Sequence, residues 1–258
     1  MVVAAISTLS HCLCGFPPTA TVNASALMCR DSAGEARKAT VRAMSAAIWI
    51  DPTGRMWVFW GQSFGQQDGR YGIWAITTDD PHAEEPEWSE PRRIGDGIML
   101  NKPTVLSNGE WMLPISLDQR EGFGPFRGAF RELDPYRGAN VFISTDRGAT
   151  WQRRGCVRFP RPDWHEHMIV QRQDGSFWVL LRTKYGIGEA TSTDGGETFT
   201  PVTPSAIKHT SARFFIRRLA SGRILLIKHG RTIDDLKDIG GGGYSRRSHL
   251  TAWLSEDE

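Results

Sequence analysis

Long hydrophobic runs are missing from this chain. None approaches the roughly 20 consecutive apolar residues that a membrane-spanning helix needs, so no membrane span is expected among its 258 residues. Cysteine is scarce: there are four, with Cys12, Cys14 and Cys29 near the start and Cys156 alone. That pattern is neither a zinc-ligand spacing nor a disulfide framework, and the chain is expected to carry no metal and no other cofactor. A surplus of charge of one sign is lacking too. The 31 basic and 29 acidic residues are interleaved and leave a formal net charge of +2, which gives no electrostatic footprint for a nucleic-acid partner. The run Gly240 to Gly243 is not followed by the Lys-Ser/Thr of a phosphate-binding loop, which argues against a nucleotide. Met1 to Phe16 has neither the basic start nor the continuous apolar stretch of a secretion signal. Residues 1–40 therefore read as an irregular or poorly ordered lead-in, almost uncharged before Arg30.

What the chain does have is glycine, 27 residues, and tryptophan, 10 residues, set in short apolar runs. Four segments share one design: an apolar run, a turn ending in Gly, and a second apolar run. They span 46–60 around Thr53-Gly54, 103–115 around Asn108-Gly109, 168–181 around Asp174-Gly175 and 214–227 around Ser221-Gly222. Each reads as a β-hairpin, because Gly takes the positive φ that such turns need and the flanks are rich in Ile, Val, Trp and Phe. Apolar residues are consecutive, as in Trp178-Val179-Leu180-Leu181, so both faces of these strands are expected to be buried.

A second recurrent element lies between the hairpins. Residues 144–151 (Ser144, Asp146, Gly148, Thr150, Trp151) and 192–199 (Ser192, Asp194, Gly196, Thr198, Phe199) both fit S-x-D-x-G-x-T-W/F. The pattern describes a turn that locks itself: the Asp carboxylate accepts turn N–H bonds, Gly supplies the left-handed position, and the aromatic ring plugs the core. Residues 77–88 form a lengthened, degraded copy, and Ser255 to Glu258 open another. Hairpin, strand and locking turn repeated at this interval describe radially arranged four-stranded blades, an all-β propeller rather than a sandwich. About four blades are present of an expected six, over residues 41–258 and incomplete at the C-terminal end.

Treated as two-residue turns, the hairpins set Glu166 opposite Thr183, His167 opposite Arg182, Asn101 opposite Ser116, Lys102 opposite Ile115, Phe214 opposite His229 and Arg213 opposite Gly230. In a propeller these open ends face one mouth. A cationic group with one carboxylate results, suited to an anionic ligand, and an Arg fork grips a carboxylate in two bonds.

The Asp-box turns make the chain resemble the sialidase (neuraminidase) superfamily over about residues 46–258. The resemblance implies a propeller that hydrolyses a terminal acidic sugar by a Tyr-Glu pair and an acid/base Asp. Glu166, the turn at Asp174-Gly175 and Arg182 look like the segment that carries the tyrosine-activating Glu and the second arginine of the triad that holds the sialic acid carboxylate. His167 stands beside Glu166 as a further catalytic candidate. Arg213 is a candidate triad member, and Lys102, Lys184 and His229 are candidate substrate contacts. Arg42 stands where the first triad arginine is sought, although Arg42-Ala43-Met44 lacks that motif's proline. Gln62, Asp68 and Asp118 are alternatives for the acid/base position; Tyr185 and Tyr244 are present but neither lies in a matching context. Trp164 is the candidate for stacking on a sugar, and His165 and His167 share a strand face without a third metal ligand.

The substrate class expected is thus an acidic glycan, handled as an exo-α-sialidase would. A uronate-processing lyase or glycosidase using His165, His167 or His229 is the rival chemistry on the same fold. A non-catalytic glycan-binding propeller, or an inactive fragment, is the third reading.

Overall fold

The computed structural model describes residues 28–30, 36–38, 41–118, 126–163, 166–230, 247 and 249–255. Among them the secondary structure is β, with helix limited to 3-10 stretches such as Arg131–Tyr136. The chain divides into two compact units, Met1–Met99 with Arg120–Pro135, and Leu100–Gln119 with Tyr136–Glu258.

In the first unit, β1 (Met28–Arg30) and β2 (Ala36–Lys38) pair antiparallel, so the described part of the expected irregular lead-in is a short ladder. A four-stranded antiparallel meander follows: β3 (Val41–Ile50), β4 (Met56–Phe64), β5 (Gly72–Thr78) and β6 (Arg92–Gly95), then the short β7 (Ile98–Met99). Val58, Trp60 and Ile76 form its core, with Trp74 and Trp88 packed against them.

The second unit holds three further sheets. The first runs β8 (Thr104–Val105), β9 (Trp111–Leu117), β10 (Gly138–Ser144) and β11 (Gln152–Val157). The next runs β12 (Met168–Gln171), β13 (Phe177–Thr183), β14 (Gly186–Ser192) and β15 (Thr203–Pro204). The last described sheet is β16 (Phe215–Arg218), β17 (Ile224–His229) and β18 (Leu250–Leu254). Met112, Val141, Ile143, Phe177, Val179 and Leu181 join the first two of these sheets in one core. Met168, Val170, Leu180, Phe214, Ile216 and Leu226 join the second to the third.

All four hairpins close by one turn, and it is not the two-residue turn expected. Residue i donates to the carbonyl of i+4 and the Gly at i+3 donates back to i: Asp51 with Arg55, Leu106 with Glu110, Arg172 with Ser176, Leu219 with Arg223. Three residues therefore lie in each loop, and Gly54, Gly109, Gly175 and Gly222 take φ of +92°, +85°, +84° and +87°. The extra residue moves the register by one. Met168 pairs Leu180, Thr104 pairs Met112 and Phe215 pairs Ile227, so the six expected pairings are each displaced by one position.

The locking turns behave as their chemistry requires. In the first, the Ser144 hydroxyl donates to Asp146 at 2.7 Å, and Asp146 accepts from the Thr150 N–H at 2.8 Å and from the Thr150 hydroxyl at 2.6 Å. The second repeats this between Ser192, Asp194 and Thr198, and Phe199 packs into the core beside it. Gly148 and Gly196 accept the left-handed conformation at φ +82° and +95°. Each opening residue stands opposite the first residue of the middle strand: Ser144 against Trp111, Ser192 against Phe177 and, in the degraded copy, Thr78 against Met56, one residue past the expected start at Thr77. Ser255 occupies the same position, its hydroxyl accepting the Ile224 N–H at 2.8 Å.

Both-face burial holds for β9, where every residue is buried, and nearly throughout β13. It fails for β17, whose residues alternate buried and half-buried, because Leu226 and its neighbours pack on the preceding sheet while Leu225 and Ile227 point the other way.

Candidate functional site

The strand ends of the second unit that lie opposite the Gly turns and Asp boxes carry its functional candidates. The corrected register explains the central pair. With a three-residue loop at 173–175, extrapolation of the β12–β13 ladder sets Glu166 opposite Arg182, two residues before β12 begins. Arg182 Nη1 donates to Glu166 Oε2 at 2.9 Å. Its Nη2 donates to Asp163 Oδ2 at 3.3 Å and to the Ser211 carbonyl at 3.2 Å. The guanidinium is only 4% exposed, which is tolerable because two carboxylates and a carbonyl meet it. Its Nε is buried with no hydrogen-bond partner among the described residues.

Sequence reasoning missed three participants. Asp163 lies in the loop before β12, Ser211 in a tight turn before β16, and Arg247 before β18. The Ser211 hydroxyl donates to Asp163, and Arg247 Nη2 donates to the Ser211 carbonyl at 3.1 Å. The one available signal was the acid three positions before Glu166; nothing local marks Ser211.

The other candidates separate into two groups. His167 is 2% exposed with both ring nitrogens engaged: Nε2 donates to the Asn140 carbonyl at 3.0 Å and Nδ1 meets the Ser116 hydroxyl at 2.9 Å. Its own carbonyl accepts from Asn101 Nδ2 at 2.8 Å, and Asn101 Oδ1 accepts from Arg213 at 3.2 Å. A chain of hydrogen bonds thereby runs across the three sheets of the unit, with His167 at its centre. Arg213 is exposed at the end of that chain. Lys102 and Lys184 are exposed as well. His229 is half-buried and stacks on His209, ring centroids 5.7 Å apart. Burial pushes the His209 imidazole down to about 4. Tyr185 is half-buried, its hydroxyl lying over Gly188.

Arg42 belongs to the first unit, exposed on β3 opposite Ser63. Gln62 lies on β4, opposite Gly72. Asp68 is buried and caps a loop, accepting the N–H groups of Phe64, Arg70 and Tyr71 at 2.8–2.9 Å. Asp118 is buried just past β9, its carbonyl accepting from Arg137. Trp164, His165, Tyr244 and the 240–243 glycines lie outside the described residues. Among the described residues no group of three or more His, Cys, Asp or Glu is set to hold a metal ion, and no helix is long and apolar enough to cross a membrane.

With repeated sheets, shared turns and Asp boxes established, the comparison with known families is decisive: residues 25–258 match the BNR repeat-like domain. The chain belongs to the BNR repeat-like domain family. Solved structures place this BNR chain in the propeller fold of sialidase type, each described four-stranded unit of hairpin, strand and locking turn being a blade. It is similar to the intramolecular trans-sialidase of Ruminococcus gnavus, with 12% identity over 76% of this chain and 62% of that one, TM-score 0.56. A leech intramolecular trans-sialidase gives 14% identity over 88% and 51%, TM-score 0.54. A Streptococcus pneumoniae sialidase gives 13% over 74% and 44%, TM-score 0.53. The BNR chain thus spans between about two fifths and two thirds of the length of these proteins. No curated protein matches it.

Proposed function

We propose that this BNR propeller is a glycosidase of sialidase type that acts on a terminal, carboxylate-bearing sugar. One observation carries the reading: a buried arginine, Arg182, held at a strand end with an acidic residue on it and with an N–H donor, Nε, that no group among the described residues takes. A donor so placed suits an anionic oxygen, since a charge-assisted bond made away from water is stronger than a neutral one. In this reading Arg182 binds the sugar carboxylate and Glu166 takes up a proton as general base. His167 braces the strand entry that carries Glu166, its ring nitrogens being committed to Asn140 and Ser116. Arg213 and Lys184 add positive charge at the approach.

The test is release of a fluorogenic aglycone from an α-sialoside and from a β-glucuronide by the 258-residue chain. Sialoside turnover that R182K reduces by at least about 100-fold supports the reading, because lysine keeps the charge and loses the planar fork. An ultraviolet-absorbing unsaturated uronate among the products would assign a lyase instead, and acidic-sugar binding without turnover would assign a binding module.

A further inference from the structure

Ser211 reaches Arg182 from a turn that begins at a buried histidine. His209 is 3% exposed; its Nε2 donates to the Ala212 carbonyl at 3.2 Å, and the Ala212 N–H donates to the Thr210 carbonyl at 2.7 Å. Within that turn Ser211 sets its carbonyl on Arg182 and Arg247 and its hydroxyl on Asp163. Arg213, two residues on, donates to Asn101. The turn lies tight on the β13–β14 corner, where a Cβ at Gly186 would fall 2.8 Å from the His209 carbonyl oxygen.

Closure leaves two polar atoms buried with no hydrogen-bond partner among the described residues, His209 Nδ1 and the Thr210 hydroxyl. Both lose their water without compensation, so the closed turn is held against a cost that opening removes. With its proton on Nε2, the neutral ring presents a bare lone pair at Nδ1. A second proton there finds no acceptor in the closed turn, and its charge meets charge of the same sign. From β17 the His229 ring stacks on His209 at 14° between planes, and the fully buried Lys228 turns Nζ to the His229 carbonyl at 2.9 Å. Phe214 meets the ring edge to face and follows Arg213 in the chain; Lys184 and Tyr185 precede Gly186. Beyond Ser211 stand Arg247 and Arg182, and the two carboxylates there, Asp163 and Glu166, are engaged by Arg182. Burial, then His229 and Lys228, hold the imidazole down at about 4, against about 6.5 for a histidine in water. The open turn takes the proton first, so closure weakens as pH falls from about 6.5 toward 4.

We propose that neutral His209 is a positioning residue for Arg182: it keeps the 209–213 turn closed so that Ser211 holds the guanidinium, and its protonation opens the turn and withdraws that contact. The site is thereby armed at neutral pH and disarmed in acid. The inference goes beyond the acidic-sugar reading and rests on it only for the ligand used in the second measurement.

The first measurement needs no ligand. Backbone hydrogen exchange of the 258-residue chain, read by mass spectrometry and corrected for the intrinsic rate, follows the segment 205–214. Its protection is expected to fall about tenfold between pH 6.5 and 5, staying below that of β9 and β13 throughout, because protonation of the open form shifts the equilibrium by nearly tenfold per pH unit. H209F is expected to show no such fall, and H209L takes its place should H209F fail to fold. In calorimetry, N-acetylneuraminate affinity is expected to drop more steeply from pH 6.5 to 4.5 in the parent chain than in H209F, whose remaining drop reads the carboxylates. Protection that is flat with pH, that equals that of β9, or that falls equally in H209F would overturn the proposal, as would a fall that H229F removes and H209F keeps. Equal pH dependence of affinity in the two chains would overturn the link to Arg182. Binding by neither chain at any pH would overturn the acidic-sugar reading, and the exchange result would still decide for or against His209.

Discussion

Gly155 on β11 tests how the blades of the second unit are spaced. A Cβ built there falls 2.0 Å from the Gly196 carbonyl oxygen and 2.8 Å from that of Glu197, both in the Asp box of the next sheet. Carbon and oxygen do not approach within about 3 Å, so Gly155→Ala demands that backbone move by about 1 Å or more. The box cannot give cheaply. Ser192, Asp194 and Thr198 hold it with a ring of hydrogen bonds, and Phe177 lies against Gly196. Overpacking of this kind costs about 2–3 kcal/mol, which for a chain of this size lowers the melting temperature by about 5–10 °C. Differential scanning calorimetry reads that shift directly. Gly175→Ala is the control, because nothing lies within 4 Å of its Cβ and only the φ of +84° is strained. It should cost about 1 kcal/mol. A Gly155→Ala chain that melts with or above Gly175→Ala would refute the claim that the Asp box is a rigid spacer between blades.

Other expectations follow from the same structure. Asp194→Asn should destabilise the chain and leave acidic-sugar affinity unchanged within twofold in calorimetry, because the box lies at the end of the blade away from Arg182. Hydrogen bonds from Thr150 and Ser144 hold Asp146 down at about 2, below the ordinary 3.8. Its contribution is therefore complete above about pH 4 and lost as pH falls toward 2, so acid melts should steepen there and flatten in Asp146→Asn. His209 acts in a separate window. Burial puts its folded value near 4 against 6.5 unfolded, so the unfolded chain binds the proton first and stability falls between pH 6.5 and 4 by up to about 3 kcal/mol. Denaturant melts across that range should show the slope in the parent chain and lose it in His209→Phe.

The fold was legible because its signals are local and repeated. A Gly turn between apolar runs, and an Asp that must bond its own turn, can be read without knowing what lies across the sheet. The degraded copy was legible too: Ser89 closes on Thr77 as Thr200 closes on Thr191, with three more residues in the loop. Register was not legible, because Asn-Gly or Asp-Gly fits two- and three-residue loops alike, and one added residue moved every pairing. Glu166 and Arg182 were singled out and do meet. Asp163, Ser211 and Arg247 escaped notice because their partnership is made across blades, by residues 48 positions apart or 36 positions apart in the chain. His167 marks the limit of such reading: a histidine beside a catalytic candidate looks chemical in sequence, whereas its burial and the bonds on both ring nitrogens are visible only in the fold.

The most direct measurement of the central claim is a crystal structure of this chain soaked with N-acetylneuraminate. The account predicts the sugar carboxylate on Arg182, one oxygen on Nε, with Asp163 and Ser211 in place. A sugar bound at the Asp-box end of the blades, or one that meets Arg182 through hydroxyls with its carboxylate in solvent, would contradict it.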